Sequence, residues 1–213
     1  MRMKRITIFG ATGRTGKLLV RKALEAGFEV VAYVRTPSRL DVAHKHLKVV
    51  VGELAEGEKI TGAIQGADAV IGVLSAVRGG SMDVMSMAVE HILPAMEQQG
   101  VRRLVWAVGA GVQAPEDQPT MIHKAIEFLL RLTAREVLED AVSAVEQIAN
   151  SGLNWTIARG PMLTEAPGSG HYRVGAVNGE MGRTLSRENF ADFILKQVES
   201  REWLYKMPAV SDL

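Results

Sequence analysis

The chain contains no cysteine among its 213 residues. Without a thiol it can form no disulfide, no thiolate metal site and no cysteine nucleophile. It also lacks an excess of either charge, since 25 Lys and Arg residues against 24 Asp and Glu residues leave a formal net charge of +1. We therefore expect no nucleic-acid partner, because any anion must be bound locally rather than by a global field.

Long apolar runs are missing as well. No segment approaches the roughly 20 apolar residues that a membrane-spanning helix needs. The basic start leads directly into a glycine-rich turn instead of the apolar stretch of a signal peptide. We expect a cytoplasmic protein that does not bind membranes. Its 47% apolar and 23% charged residues are typical of a globular protein, here a single domain over residues 1–213.

Six short apolar runs rich in β-branched residues alternate with helical patterns. They cover residues 5–10, 29–34, 47–52, 68–75, 102–109 and 154–160. Near-continuous apolarity is typical of strands buried on both faces of a parallel sheet. The alternation predicts an α/β fold, a Rossmann-like doubly wound parallel sheet with helices on both faces. A small C-terminal region is expected on the substrate side, with the glycine-rich span 164–182 as a loop or short hairpin.

Helix boundaries are indicated at a few positions. Gly27 is predicted to end the first helix, and Ser81 and Ser186 are predicted to cap the starts of two later ones. Apolar residues recur at helical spacing from residue 120 to residue 150, which is long enough for two helices.

The stretch IFGATGRTGK at residues 8–17 places three glycines between a predicted strand and a predicted helix. Gly10 would allow a sharp turn, Gly13 the close approach of backbone to a diphosphate, and Gly16 tight packing of helix on sheet. Free amides and the helix dipole favour an anion there. The alternative is a structural glycine turn that binds no ligand.

Arg35 ends the second predicted strand, in YVRTPSRL at residues 33–40. A site that prefers NAD places Asp or Glu there to bind the ribose hydroxyls. A guanidinium group suits the 2′-phosphate of NADP instead. Arg14, inside the glycine turn, could stack on adenine or reach the same phosphate. We predict NADP(H) as the cofactor; the alternative is that these arginines are solvated loop residues.

These segments together resemble the atypical short-chain dehydrogenase/reductases of the NAD(P)H-binding, NmrA-like family, and within it the biliverdin-IXβ/flavin reductases. Matching blocks run in the family's order from IFGATGRTG (8–16) to SRENFADFILKQV (186–198). The resemblance implies an NADP site with contacts from the phosphate turn, the 2′-phosphate site and the strand ends. The residues implied are Gly10, Thr12, Gly13, Thr15, Arg35, Ser38, Arg39, Glu53, Leu54, Leu74, Ser75, Met85, Gly109, Pro161 and Met162. For Met85, a core position is the alternative.

The chain departs from this family at the positions of the residues that donate or accept protons. None of its three tyrosines has Lys four residues later, so the usual Tyr-x-x-x-Lys pair is absent. The flavin-reductase relatives have a serine at the end of strand five and a histidine after the proline of strand six; here these positions are Gly109 and Met162. A flavin or quinone spreads the developing charge and can take its proton from water. We therefore expect a planar conjugated acceptor.

Three further residues are candidates for the substrate pocket, and one histidine pair is a weak candidate for a metal site. Ala110 is expected to lie beneath the acceptor, His123 could reach the mouth of the pocket, and Tyr172 could cover a planar substrate. The alternatives are a structural or solvated histidine and a tyrosine that packs within its own hairpin. His44 and His46 lack a spaced third ligand, so we expect no metal site.

Two functions remain open at this point. The first is an NADPH-dependent oxidoreductase that reduces a flavin-type or quinone-type acceptor. The second is a non-catalytic NADP(H)-binding redox sensor or regulatory protein, as occurs among NmrA-like relatives. In either case we expect a monomer or a weak homo-oligomer with a small-molecule partner.

Overall fold

The computed structural model describes residues 3–76 and 80–213. Its main sheet has eight strands in the order β3-β2-β1-β4-β5-β6-β10-β8. All pairs from β3 to β10 are parallel, and β8 is antiparallel to β10. The strands are β1 (Arg5–Phe9), β2 (Glu29–Val34), β3 (Leu47–Val51), β4 (Ala69–Gly72), β5 (Arg103–Gly109), β6 (Asn154–Gly160), β8 (Tyr172–Gly175) and β10 (Ala209–Asp212). A separate two-stranded sheet pairs β7 (Met162–Thr164) with β9 (Thr184–Ser186).

Helices cover both faces of this sheet. The six helices of the described residues are α1 (Arg14–Glu25), α2 (Gly57–Ile64), α3 (Val84–Gln98), α4 (Met121–Thr133), α5 (Arg135–Ala149) and α6 (Arg187–Lys196). One buried core contains apolar residues of α2, α3 and α5, and a second contains those of α1 and α6. The predicted Rossmann-like doubly wound fold is therefore confirmed. Within the two described ranges, no helix is both long and apolar enough to cross a membrane.

Strand order reverses between β1 and β4, since β2 and β3 lie on one side of β1 and β5 and β6 on the other side of β4. The loops at the carboxyl ends of these two strands diverge and leave a crevice, which is where open α/β sheets bind ligands. The predicted fourth strand ends early, at Gly72, and the following segment leaves the sheet to form a wall of this crevice.

Several boundary predictions can be compared with the structure. Gly27 ends α1 with φ +84°, and Ser186 caps α6 by accepting a hydrogen bond from the Asn189 amide, both as predicted. Ser81 is wrong as a cap: α3 begins at Val84, and the Ser81 hydroxyl bonds the Asp83 carboxylate instead.

The span 120–150 forms two helices, as its spacing predicts, but their burial differs. In α5 one face is buried, including Ala144 and Ile148. In α4 the apolar side chains of Met121, Ile126 and Phe128 are exposed. Apolar spacing therefore predicted the helical conformation of α4 correctly, while it did not reveal how little of that helix is covered.

Candidate functional site

The glycine turn between β1 and α1 is packed so tightly that two of its glycines admit no side chain. Gly10 has φ +84°, and a Cβ atom there would lie 2.4 Å from the Val73 carbonyl oxygen. A Cβ atom on Gly16 would lie 2.1 Å from the Gly10 carbonyl oxygen. Gly13 donates its amide to the Gly10 carbonyl at 3.0 Å. Close contacts between backbone atoms therefore fix the conformation of the turn.

The start of α1 is suited to an anion. In the described structure Gly13 occupies the cap position, no side chain caps the helix, and no acidic residue lies in its first turn. The first amides of a helix lack intrahelical partners and carry the positive end of its dipole. These free amides, the positive end of the dipole and a turn without side chains together fit the diphosphate of a dinucleotide.

A cavity of about 710 Å³ extends from this turn along the carboxyl ends of β1, β2, β4, β5 and β6. Its volume lies within the range of about 300–1,000 Å³ that small-molecule sites occupy. Fourteen of the residues predicted from sequence line it. They are Gly10, Thr12, Gly13, Arg14, Thr15, Arg35, Arg39, Glu53, Leu54, Leu74, Ser75, Met85, Gly109 and Pro161.

Six predicted residues are not among those that line the cavity. Gly16 lies buried beneath the turn, and Ser38 is exposed in the single turn of 3₁₀ helix at Pro37–Arg39. Met162 is 67% exposed. Ala110 donates its amide to the Gly160 carbonyl at 2.7 Å.

His123 and Tyr172 are engaged elsewhere. The Nδ1 atom of His123 lies 3.2 Å from the Thr120 amide. The Tyr172 hydroxyl donates to Asp192 at 2.8 Å and accepts from Lys196 at 3.1 Å. Tyr172 therefore packs on α6, and not within a hairpin of its own, since its strand β8 pairs with β10.

At one side of the cavity lie Tyr33, Arg35, Thr36, Arg39 and Glu53, which we call the β2 end. Arg35 and Arg39 are both exposed, and neither forms an ion pair within the described part of the chain. Two uncompensated guanidinium groups beside a cavity create a site for an anion of high charge, such as a phosphate monoester.

Tyr33 supports the β2 end and was missed by sequence reasoning. Its hydroxyl donates to the Glu53 carbonyl at 2.7 Å and thereby fixes the segment after β3. Burial, together with the nearby Glu56 and Glu53 carboxylates, raises the pKa of Tyr33 to about 12. Tyr33 therefore stays protonated near neutral pH and is no source of an easily released proton. The available signal was its place near the end of β2, two residues before Arg35, since side chains two residues apart along an extended segment point to the same side.

At the opposite side lie Gly109, Gly160, Pro161, Leu163 and Phe190, which we call the β6 end. These residues offer backbone and apolar surface. Among the described residues that line the whole cavity there is no histidine, and the single carboxylate, that of Glu53, belongs to the β2 end. The β6 end can thus hold a flat apolar ring, but its side chains supply no acid or base.

A buried ion pair fastens the segment that follows β5 at this end. Arg159 is fully buried and forms two hydrogen bonds to the Asp117 carboxylate, the longer at 2.8 Å. Asp117 also accepts the Ala114 and Val177 amides, each at 2.8 Å. Burial raises the pKa of Asp117, but these hydrogen bonds outweigh it and lower that pKa overall. The pair joins β6 to two loops that are distant in sequence.

A second buried carboxylate positions the wall formed by α3. Asp140 of α5 accepts the amides of Met85 and Ser86, each at 2.9 Å, and the Ser86 hydroxyl at 2.6 Å. It thereby satisfies the free amides at the start of α3. Met85 is 4% exposed and belongs to the core, yet it also lines the cavity. The two interpretations of Met85 are therefore compatible.

Comparisons with known proteins agree with this architecture. A short-chain dehydrogenase/reductase from Veillonella parvula, solved in complex with NADP, superposes with a TM-score of 0.81 at 21% identity, covering 99% of this chain and 95% of that one. ChuY, an anaerobillin reductase from Escherichia coli O157:H7, gives a TM-score of 0.81 at 15% identity over 98% of this chain and 97% of that one. At this identity, these likenesses show the shared fold.

Sequence comparison leads to the family. A 3-beta-hydroxysteroid dehydrogenase from Mycolicibacterium neoaurum is 30% identical over 120 residues, which make up 51% of this chain and 32% of that enzyme. This chain thus matches about a third of that relative's length. The model of the NAD(P)H-binding family matches residues 10–201. The chain, most of which this match covers, belongs to the NAD(P)H-binding family.

Proposed function

We propose that the protein is an NADPH-dependent reductase that delivers a hydride to a planar conjugated acceptor of flavin or quinone type. The observation that carries this proposal is the contrast within one cavity. The β2 end holds two uncompensated arginines, Arg35 and Arg39, and the β6 end is apolar and has no acid or base. We further propose that it acts in the cytoplasm as a monomer or a weak homo-oligomer.

Different residues of the chain would bind different parts of the cofactor and the acceptor. The glycine turn and the start of α1 would hold the diphosphate, and Arg35 and Arg39 would hold the 2′-phosphate. Leu54, which lines the cavity directly after Glu53 of the β2 end, offers an apolar surface to adenine. Gly109 and Pro161 would flank the nicotinamide, and Phe190 and Leu163 offer apolar contact for the acceptor.

Reduced nicotinamide supplies a hydride, which carries two electrons and one proton. The acceptor gains that hydride and one further proton from solvent, so NADPH, a proton and the oxidised acceptor give NADP⁺ and the two-electron-reduced acceptor. The chain contributes proximity and orientation, which suffice when the acceptor delocalises its own charge. For a ketone, the missing acid would cost about 10²- to 10⁴-fold in rate.

A non-catalytic NADP(H)-binding sensor or regulator is the second candidate. It is favoured by the same lack of acid or base side chains at the β6 end, among the described residues that line the cavity there.

One assay decides between the two functions. Purified protein is mixed with NADPH, and loss of reduced nicotinamide is followed with flavin, quinone or dichlorophenol-indophenol as acceptor. We expect turnover above a protein-free control. Tight NADPH binding without turnover on any acceptor would contradict the reductase and support the regulator.

A further inference from the structure

Arg187 is a cation inside the cavity that no sequence motif assigned. It is the first residue of α6, its side chain is 11% exposed, and it lines the cavity. Its Nη1 atom lies 3.4 Å from the Thr15 hydroxyl, at the start of α1. The fold thus brings a guanidinium group from near the end of the chain to the phosphate turn near its beginning.

The charge of Arg187 is only partly compensated. Its Nε atom donates to Glu165 Oε1 at 2.8 Å, and Arg14 Nη1 donates to the same oxygen at 2.9 Å. One carboxylate shared by two guanidinium groups leaves a positive surplus, and it lies where the dipole of α1 is also positive. Since Glu165 engages Nε, the other end of the guanidinium group is directed towards Thr15.

We propose that Arg187 binds the diphosphate of the dinucleotide together with the glycine turn. The inference rests on the proposed function, because it requires a dinucleotide in this cavity. A planar guanidinium group can donate two parallel hydrogen bonds to phosphate oxygens, and its partial burial strengthens them. The alternative is that Arg187 binds a carboxylate of the acceptor. In that case the affinity for NADPH would not depend on Arg187.

The test compares ligands that differ in their phosphates. Binding of NADPH is measured by nicotinamide fluorescence, and 2′-phospho-ADP-ribose and adenosine 2′-monophosphate are measured by competition. For Arg187→Gln we expect Kd to rise about 10- to 100-fold for the two ligands with a diphosphate, since a hydrogen bond to a charged group is lost. Adenosine 2′-monophosphate has no diphosphate, and its Kd should stay at the wild-type value.

Lys196→Gln is the matched control, because Lys196 lies on the same helix, is 60% exposed and bonds Asp192 and Tyr172. It should change none of the three Kd values. Unchanged NADPH binding in Arg187→Gln, or equal losses for all three ligands, would overturn the inference. If Arg187→Gln does not fold, Arg187→Lys replaces it and must show a smaller loss confined to the two diphosphate ligands. Failure of the wild type to bind any dinucleotide would instead refute the proposed function.

Discussion

The β2 end and the β6 end of the cavity are built in different ways. At the β2 end and the adjoining turn, most of the groups come from a continuous strand-turn-helix-strand unit, residues 5–34, and from residues 35–39 directly after it; Glu53, which follows β3, is the exception. At the β6 end, Gly109, Pro161 and Phe190 come from three separate elements, and a buried ion pair fastens a neighbouring loop. Local sequence therefore specifies one end, and tertiary packing assembles the other.

The difference extends to chemistry. The β2 end carries uncompensated positive charge, which under the proposed function would attract the 2′-phosphate. The β6 end carries apolar surface, which selects for a ligand by shape. Under the proposed function, such a site would bind its cofactor by charge and its acceptor by shape.

The largest effect on NADPH binding is expected at the closest backbone contact of the glycine turn, in Gly16→Ala. The added methyl group would lie 2.1 Å from the Gly10 carbonyl oxygen, so the turn must shift. Overpacking of this kind costs about 1–3 kcal/mol or more, and the displaced amides no longer fit a diphosphate. We expect NADPH binding to be lost and Tm to fall, as measured by fluorescence titration and thermal unfolding.

Gly62→Ala is the control for that change. A methyl group on Gly62 meets no atom within 4 Å, and the residue lies inside α2. It should stabilise the protein by about 0.5–1 kcal/mol and leave NADPH binding as it was. Wild-type affinity in Gly16→Ala would show that the close contact does not shape the binding site.

The features that could be predicted from the sequence are those that depend on local backbone conformation. The glycine turn, Arg35 and the six main parallel strands are each encoded within a few neighbouring residues. Strands β8, at the edge of the sheet, and β10, beside it, have four residues each and pair across a gap of more than thirty residues, so no local pattern marked them. Helix α2 is short, at eight residues, and was not predicted either.

The missed functional residues share the same cause. Arg187 and Glu165 acquire their places only when α6 packs beside α1, and Asp117 meets Arg159 only when β5 and β6 are paired. In the sequence each of these is an ordinary charged residue. Their contacts depend on chain segments between 22 and 172 residues apart.

The largest effect on stability, rather than on NADPH binding, is expected at the support of the β6 end, in Asp117→Asn. The substitution leaves the buried Arg159 charge uncompensated, and breaking such a pair costs about 3–5 kcal/mol. Turnover should fall because the segment after β5 loosens, whereas NADPH affinity should stay close to the wild-type value. Urea unfolding measures the loss of stability, and the acceptor assay measures the loss of turnover. Equal losses of affinity and turnover would contradict the division between the ends.

The pH dependence of this effect has a defined sign. Because the pKa of Asp117 is lower in the folded protein, its stabilisation is complete above the unfolded value of about 3.9 and is lost as pH falls through the folded value. The difference in stability between wild type and Asp117→Asn should therefore shrink below about pH 4. Asp41→Asn is the control, since Asp41 is an exposed partner of Lys17 and Arg21. It should change stability little at neutral pH.

The smallest and most selective effect is expected from Arg35→Asp. A carboxylate there repels a 2′-phosphate, so NADPH affinity should fall by about 1.5–3 kcal/mol, the worth of a hydrogen bond to a charged group. NADH lacks that phosphate and should lose far less. Arg201→Asp, which makes the same charge change at an exposed residue that does not line the cavity, is the control. Equal losses for both nucleotides would mean that Arg35 acts through the shape of the loop, and the β2 end would then select by packing as the β6 end does.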